Sequence, residues 1–249
     1  MAKLEGKVAV ITGGNSGMGL ETAKRFAKEG ARVAILGRDP STLDKAVAEI
    51  GHDVLAVKGD VSNLSDLDAF YARVKSAFGK IDILFANAGV GGMAPLGAIT
   101  EEHFDRLIGI NLKGVVFTVQ KALPLMPDGS SIILNSSIAA RKGMEAFSIY
   151  SATKAAVRSL ARGWTTDLRA RRIRVNSISP GPIQTPIFGK MGLTEEQIAG
   201  FGQAITPQIP QGRFGGGDEI AGAALFLASD DSSYVSGIDL CVDGGMAQI

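Results

Sequence analysis

The sequence predicts an α/β fold, a doubly wound seven-stranded parallel sheet with helices on both faces. Two observations carry this. Short β-branched runs alternate with longer amphipathic stretches from the start of the chain, which is the signal for βαβ units. Several of those runs are almost continuously apolar, as expected of strands covered on both faces. In order, the predicted strands are residues 8–12, 32–36, 54–58, 81–86, 131–135, 174–178 and 238–242. The predicted helices are 17–29, 64–78, 101–123, 149–171 and 219–228.

At 249 residues the length falls between one and two domains of about 150. No linker or solenoid repeat divides it, so residues 1–249 read as one domain. The exception to the βα rhythm is the stretch 182–217. It holds Pro182, Pro186, Pro207, Pro210 and many glycines around a weak helical segment at 194–203. A long insertion of this kind suits a lid over a site, placed at about 186–215.

Composition excludes several classes. With 26 Lys plus Arg against 25 Asp plus Glu, the net charge is +1, so neither nucleic acid nor an anionic membrane is indicated as a partner. No apolar run approaches the roughly 18 residues of a membrane span. Residues 1–5 lack the apolar stretch of a signal peptide, and the lone Cys241 cannot form an internal disulfide. The expectation is a soluble protein of the reducing cytoplasm. Glycine stands out: 32 residues is about 13% of the chain against a usual ~7%, without a collagen period.

The first predicted strand runs into Thr12-Gly13-Gly14-Asn15-Ser16-Gly17-Met18-Gly19 and then a helix. Unpaired N–H groups and the positive end of that helix favour a pyrophosphate, and glycines let the backbone approach it. The spacing differs from G-x-G-x-x-G, but four glycines at a strand-to-helix junction still point to a nucleotide. An NAD site usually places an acidic residue at the end of the second strand, against the ribose 2′-hydroxyl. Here that place reads Gly37-Arg38, with room and a guanidinium suited to a 2′-phosphate, which favours NADP(H). Asp39 follows at once and competes by offering Arg38 an ion pair.

Tyr150 and Lys154 lie four residues apart on one helix face. A free tyrosine titrates near 10, and a neighbouring ammonium in a partly buried site lowers it toward the range of a usable acid or base. Taken alone, the pair is also an ordinary amphipathic pattern.

The combination is more specific. The loop 12–19, Asp60-Val61, Asn87-Ala88-Gly89, Asn111, Ser137, Tyr150 with Lys154, and the run 180–185 occur in a fixed order along the chain. On these motifs the sequence resembles the single-domain branch of the short-chain dehydrogenase/reductase family, over essentially its whole length. The resemblance implies a Rossmann fold and, from the runs 117–124 and 226–233 as well, a likeness to NADP-dependent secondary-alcohol dehydrogenases that act in reverse as ketone reductases. It implies that Tyr150 exchanges a proton with the carbonyl or alcohol oxygen, that Ser137 polarises that oxygen, and that Lys154 lowers the tyrosine pKa and holds the nicotinamide ribose. Asn111 would position a water linking the lysine to solvent. Ser136 is an adjacent rival for the serine role; Ser137 is preferred because the family serine lies thirteen places before its tyrosine.

The resemblance further implies cofactor contacts from Gly13, Asn15, Ser16, Gly17, Met18 and Gly19 in the phosphate turn and from Gly37 and Arg38 at the 2′-position. Asp60 and Val61 would meet adenine. Asn87, Ala88 and Gly89 would line the crevice, Asn87 in a more structural role. Pro180, Gly181, Ile183 and Thr185 would border the nicotinamide, with Thr185 against the carboxamide. One departure is Ala86, where many members carry asparagine; it leaves the activity reading intact. A homotetramer is implied by the family habit, with the apolar end through Met246 and Ile249 suited to burial between subunits.

Other residues tempt less. His52 and His103 lie far from every motif, so no metal site is expected. Cys241 reads as a small buried hydrophobe, and Arg169, Arg171, Arg172 and Arg174 as a solvated helix end. The expected substrate is a small hydrophobic ketone or alcohol, because Ile187, Phe188, Met191, Ile198 and Phe201 in the lid are apolar. The alternative is a 3-oxoacyl thioester on an acyl carrier protein, which calls for basic residues around the cleft. A non-catalytic NADP(H)-binding sensor is a third reading, and it would be supported by loss of the tyrosine or lysine, neither of which is lost. A halide-releasing enzyme on this scaffold would lack the dinucleotide loop, which this chain retains.

Overall fold

The computed structural model describes residues 2–51, 53–185 and 194–249. Its strands are β1 (Val8–Thr12), β2 (Arg32–Gly37), β3 (Val54–Lys58), β4 (Ile83–Ala86), β5 (Ser131–Asn135), β6 (Arg174–Pro180) and β7 (Asp239–Val242). They pair in parallel in the order β3-β2-β1-β4-β5-β6-β7. All seven predicted strands are present. The chain winds outward from β1 to β3, returns to β4 on the other side of β1, and continues to β7. That reversal opens a crevice beyond the carboxyl ends of β1 and β4, where ligands of such sheets bind.

Alternate strand residues feed two cores, because successive side chains point to opposite faces. Ala9, Ile11, Val33, Ile35, Phe85 and Ile133 face one side. There they meet α1 (Gly17–Lys28), α2 (Pro40–Ile50) and α8 (Gly217–Ala228) through Phe26, Leu43 and Ile220. Val10, Leu36, Leu84, Ile132 and Val175 face the other side. They pack on α3 (Leu64–Phe78), α5 (Gly114–Ala122) and α6 (Ser148–Asp167) through Phe70, Val119 and Val157.

The helix α2 is absent from the sequence expectation. Its signal is local: Asp39 accepts from the Ser41 N–H as N-cap, and Pro40 occupies the first turn. The expected helix 101–123 is interrupted. It forms α4 (Glu101–Ile108), a π-helical turn over Gly109–Lys113, and α5. Such a turn inserts one extra residue and is frequent at functional sites, and Asn111 sits inside it, fully buried. A further helix, α7 (Glu195–Ile205), lies within the proline-rich excursion.

The arginine run is a solvated helix end only in part, with Arg169 and Arg172 exposed. Arg171 bonds the carbonyls of Leu123, at 3.2 Å, and Met126, while Arg174 reaches the Ser232 hydroxyl at 2.8 Å. Both tie the loop before β6 to neighbouring segments. Cys241 is half-buried rather than buried. His52, Ile187, Phe188 and Met191 lie outside the described residues, as does the Ile198 side chain. Among the described residues, no helix is long and apolar enough to cross a membrane, and no cluster of metal-ligating side chains occurs.

Candidate active site

A cleft of about 690 Å³ opens over the carboxyl ends of the strands. Every residue that the sequence singled out for catalysis or cofactor contact lines it except Asn111, which lies just behind its wall. Sequence reasoning missed Asn135, Phe147 and Met246, which line it too.

The phosphate end is built by the turn after β1. Gly13 adopts φ +66°, and a Cβ there would lie 3.1 Å from the Ala88 Cα. A Cβ on Gly19 would run into the Gly13 carbonyl oxygen and approach the Asn87 amide to 2.5 Å. Ser16 is extended at the N-cap of α1 without capping it through its side chain, and the first turn carries no acidic residue. The first turn of α1 thus sets no carboxylate of its own against the positive end of the helix, and the residues present fit a dinucleotide diphosphate. Asn87 ties neighbouring strands together: its amide donates to the Thr12 carbonyl at 3.0 Å and accepts from the Asn135 amide at 3.0 Å.

At the adenosine end, one carboxylate oxygen of Asp39 caps α2, accepting from the Ser41 N–H and hydroxyl at 2.9 Å, while the residue also lines the cleft. Arg38 instead faces Asp60 at 3.6 Å, and its side chain is 62% exposed. A guanidinium so loosely held can turn to an incoming phosphate. Gly37 makes room for a protein group as well, since a Cβ there would meet the Asn15 side chain at 2.5 Å. The Asn15 amide in turn donates to the Thr42 hydroxyl at 2.7 Å.

At the other end, Ser137 leaves β5 and Tyr150 and Lys154 stand on successive turns of α6. The Lys154 ammonium donates to the Asn135 carbonyl at 2.8 Å and lies 5.7 Å from the centre of the Tyr150 ring. The Asn111 amide donates to the Val90 carbonyl and accepts from the Val90 N–H, both at 2.9 Å, which locks the loop after β4. Gly89 passes between Asn111 and Lys154, where a Cβ would meet their polar atoms at 3.2 and 3.5 Å. The choice between the serines has a structural reason. The Ser136 hydroxyl is buried and donates to the Lys154 carbonyl at 3.0 Å, whereas the Ser137 hydroxyl accepts from the Ala139 N–H at 3.1 Å and is close enough to the Tyr150 phenol to act on its pKa.

The electrostatics differ from the sequence expectation. Burial pushes the Tyr150 phenol up from its ordinary 10, with the Ser137 hydrogen bond pulling the other way. Burial also pulls Lys154 down to about 8. Desolvation disfavours the charged form of both groups and outweighs the lowering expected from the ammonium. At neutral pH the phenol keeps its proton, the form that can donate to an oxygen.

Fold and cleft define a class, an oxidoreductase with a crevice for a nicotinamide dinucleotide. Residues 13–247 match a family model described as enoyl-(acyl carrier protein) reductase. The chain is 48% identical to oxidoreductase asL5 of Sarocladium schorii, over 99% of this chain and 98% of that protein. It is 38% identical to the galactitol 2-dehydrogenase of Agrobacterium fabrum, over 98% of each. Among solved structures, a short-chain dehydrogenase/reductase from Serratia marcescens superposes with a TM-score of 0.91 at 32% identity, covering 98% of this chain and 99% of that one. The 3-ketoacyl-(acyl-carrier-protein) reductase of Brucella melitensis, complexed with NADH, gives 0.90 at 36% identity, with the same coverage. The chain belongs to the short-chain dehydrogenase/reductase family.

Proposed function

We propose that the protein interconverts a secondary alcohol and a ketone with NADP(H). The observation that carries the reading is the convergence of Ser137, Tyr150 and Lys154 at one end of a cleft whose other end is a phosphate turn. The cofactor, when bound, carries the hydride. The protein's own groups handle the proton. Tyr150 gives its phenolic proton to the carbonyl oxygen during reduction and accepts it back during oxidation. Ser137 donates a hydrogen bond to the same oxygen and stabilises the charge that develops there. Lys154 spends one of its three N–H donors on the Asn135 carbonyl, which leaves two for the phenol and the ribose hydroxyls. Asn111 holds the Val90 segment and the solvent link behind the lysine. The remaining cofactor contacts are those expected from the sequence, from Gly13 to Thr185. NADPH oxidation over a panel of aliphatic ketones, aryl ketones, sugars and 3-oxoacyl thioesters tests the reading, and activity confined to thioesters would replace it with the acyl-carrier alternative.

Preference for NADP(H) rests on Arg38, loosely paired and exposed, with one Asp39 oxygen engaged in capping. Arg38→Ala is expected to lower kcat/KM for NADPH by about tenfold or more while sparing NADH, as for a lost charge-assisted contact of roughly 1.5–3 kcal/mol. Equal losses with both cofactors would refute the role. Gly19→Ala is expected to weaken dinucleotide binding and to lower stability by about 1–3 kcal/mol, because the added methyl group has no space. Dye-monitored titration and urea unfolding measure the two effects.

The 186–215 excursion is read as a substrate lid, supported by Phe201 and Ile205 of α7 on the cleft wall. The homotetramer reading is supported by the exposed apolar side chains of Phe226, Tyr234 and Ile238. Sedimentation equilibrium tests it.

A further inference from the structure

The sequence placed the apolar C-terminal end between subunits, and the structure separates its two hydrophobes. Ile249 is 85% exposed, whereas Met246 is 3% exposed within its own chain. Met246 packs on Ile138 and Ile209 in a cluster apart from the two sheet cores, with Ile205 and Phe214 against it. Three of these residues, Ile138, Ile205 and Met246, also line the cleft. Ile138 directly follows Ser137, and Ile205 ends α7. Met246 therefore bridges the turn that carries the serine and the helix over the cleft.

The turn presenting Met246 is held from several sides. Asp243 accepts the N–H groups of Gly245 at 3.0 Å and Ala247 at 2.8 Å. Lys142 donates to the Met246 carbonyl at 3.3 Å, and the Gln211 N–H donates to the Gly244 carbonyl at 3.2 Å. The turn is also seated on Gly181, where a Cβ would lie 2.7 Å from the Asp243 Cα. A backbone held this firmly sets where the thioether projects. The side chain itself neither titrates nor donates a proton, so it has no part in the proton chemistry assigned to Ser137, Tyr150 and Lys154. What it contributes is apolar volume.

We propose that Met246 is a specificity-determining residue, an intrachain wall that limits the bulk of the group flanking the reacting carbonyl. The substrate class it fits is a ketone whose substituent on that side is apolar, because Ile138 and Ile205 line the cleft beside Met246. Phe147, which packs edge-on against Tyr150 with ring centres 5.7 Å apart, lines the same cleft. The assignment rests on the alcohol–ketone reading of the site. Changing the wall changes the space beside the substrate, and a hydrophobic pocket discriminates by roughly 10–200-fold per methylene-sized change.

The test is kcat/KM with NADPH for acetone and for the bicyclic aryl ketone α-tetralone, in the parent, Met246→Ala and Met246→Phe. Met246→Ala is expected to raise the tetralone-to-acetone ratio about tenfold, and Met246→Phe to lower it by a similar factor, with KM for NADPH unmoved in both. Met246→Phe keeps the apolar burial, so it reports even if Met246→Ala folds poorly. Parallel losses on both ketones, or ratios within about twofold of the parent, would overturn the assignment and leave Met246 a packing residue. A parent enzyme that reduces neither ketone would overturn the wall assignment, and the wider substrate panel then decides separately whether the alcohol–ketone reading falls with it.

Discussion

Replacing Tyr150 with phenylalanine is expected to lower kcat for ketone reduction by about 10²–10⁴, the range contributed by a positioned general acid. Only the hydroxyl is removed. The ring keeps its edge-on contact with Phe147 and its place over Lys154, so the fold and the cofactor cleft are left in place. KM for NADPH should therefore hold while kcat falls, as for an interaction made in the transition state. The parent has a matching pH dependence. Because burial raises the phenol pKa and lowers that of Lys154 to about 8, the reductive rate should stay level through neutrality and fall above about pH 8, where the lysine loses its charge ahead of the phenol. Steady-state rates with the two enzymes measure both effects, and near-normal turnover by Tyr150→Phe would remove the tyrosine from its role.

Lys154→Met is expected to abolish activity and yet stabilise the folded chain at pH 7. Lys154 is buried and titrates at about 8 instead of 10.5. That displacement corresponds to roughly 3 kcal/mol of preference for the neutral form in the folded state. Below about pH 8 the amine is charged in folded and unfolded chains alike, so the folded chain carries the whole cost. Between 8 and 10.5 the unfolded chain binds more protons, and parent stability rises with pH. The Asn135 carbonyl loses its donor in the variant, which costs about 1 kcal/mol. The net gain at pH 7 is about 2 kcal/mol; it should vanish at about pH 9.5 and turn into a deficit of about 1 kcal/mol by pH 10.5. Urea unfolding of both proteins across that window measures it. A variant less stable than the parent at pH 7 would show that the ammonium is well solvated or paired. The trade is that of a functional group held at the expense of stability.

Much of this site was legible because its parts are local. The glycine turn, the Tyr150–Lys154 spacing and the alternation of strand and helix each need only neighbouring residues to be read. The missed helix α2 was local too, signalled by Asp39-Pro40, but its apolar face is reduced to Leu43 and Ala46 among its buried residues. Periodicity that thin does not stand out. The π-helical turn at Asn111 could not be read in this way. It exists because Asn111 must reach the main chain of Val90, 21 residues earlier, while Gly114 packs on Val61. Arg171 and Arg174 looked like a solvated basic run because their partners, Leu123, Met126 and Ser232, lie 45–58 residues away.

The sequence by itself determined the fold class and the order of the strands along the chain, through patterns within one turn or one strand, and its family resemblance pointed to many of the residues around the cleft. Tertiary structure alone decided the rest. It set Arg38 opposite Asp60, and it occupied Ser136 on the Lys154 carbonyl. Through burial it kept the Tyr150 phenol protonated. It also folded Met246 back beside Ser137. The physical reason is common to all four: desolvation and hydrogen-bond partners depend on what packs nearby in space, and residues distant in sequence supply it.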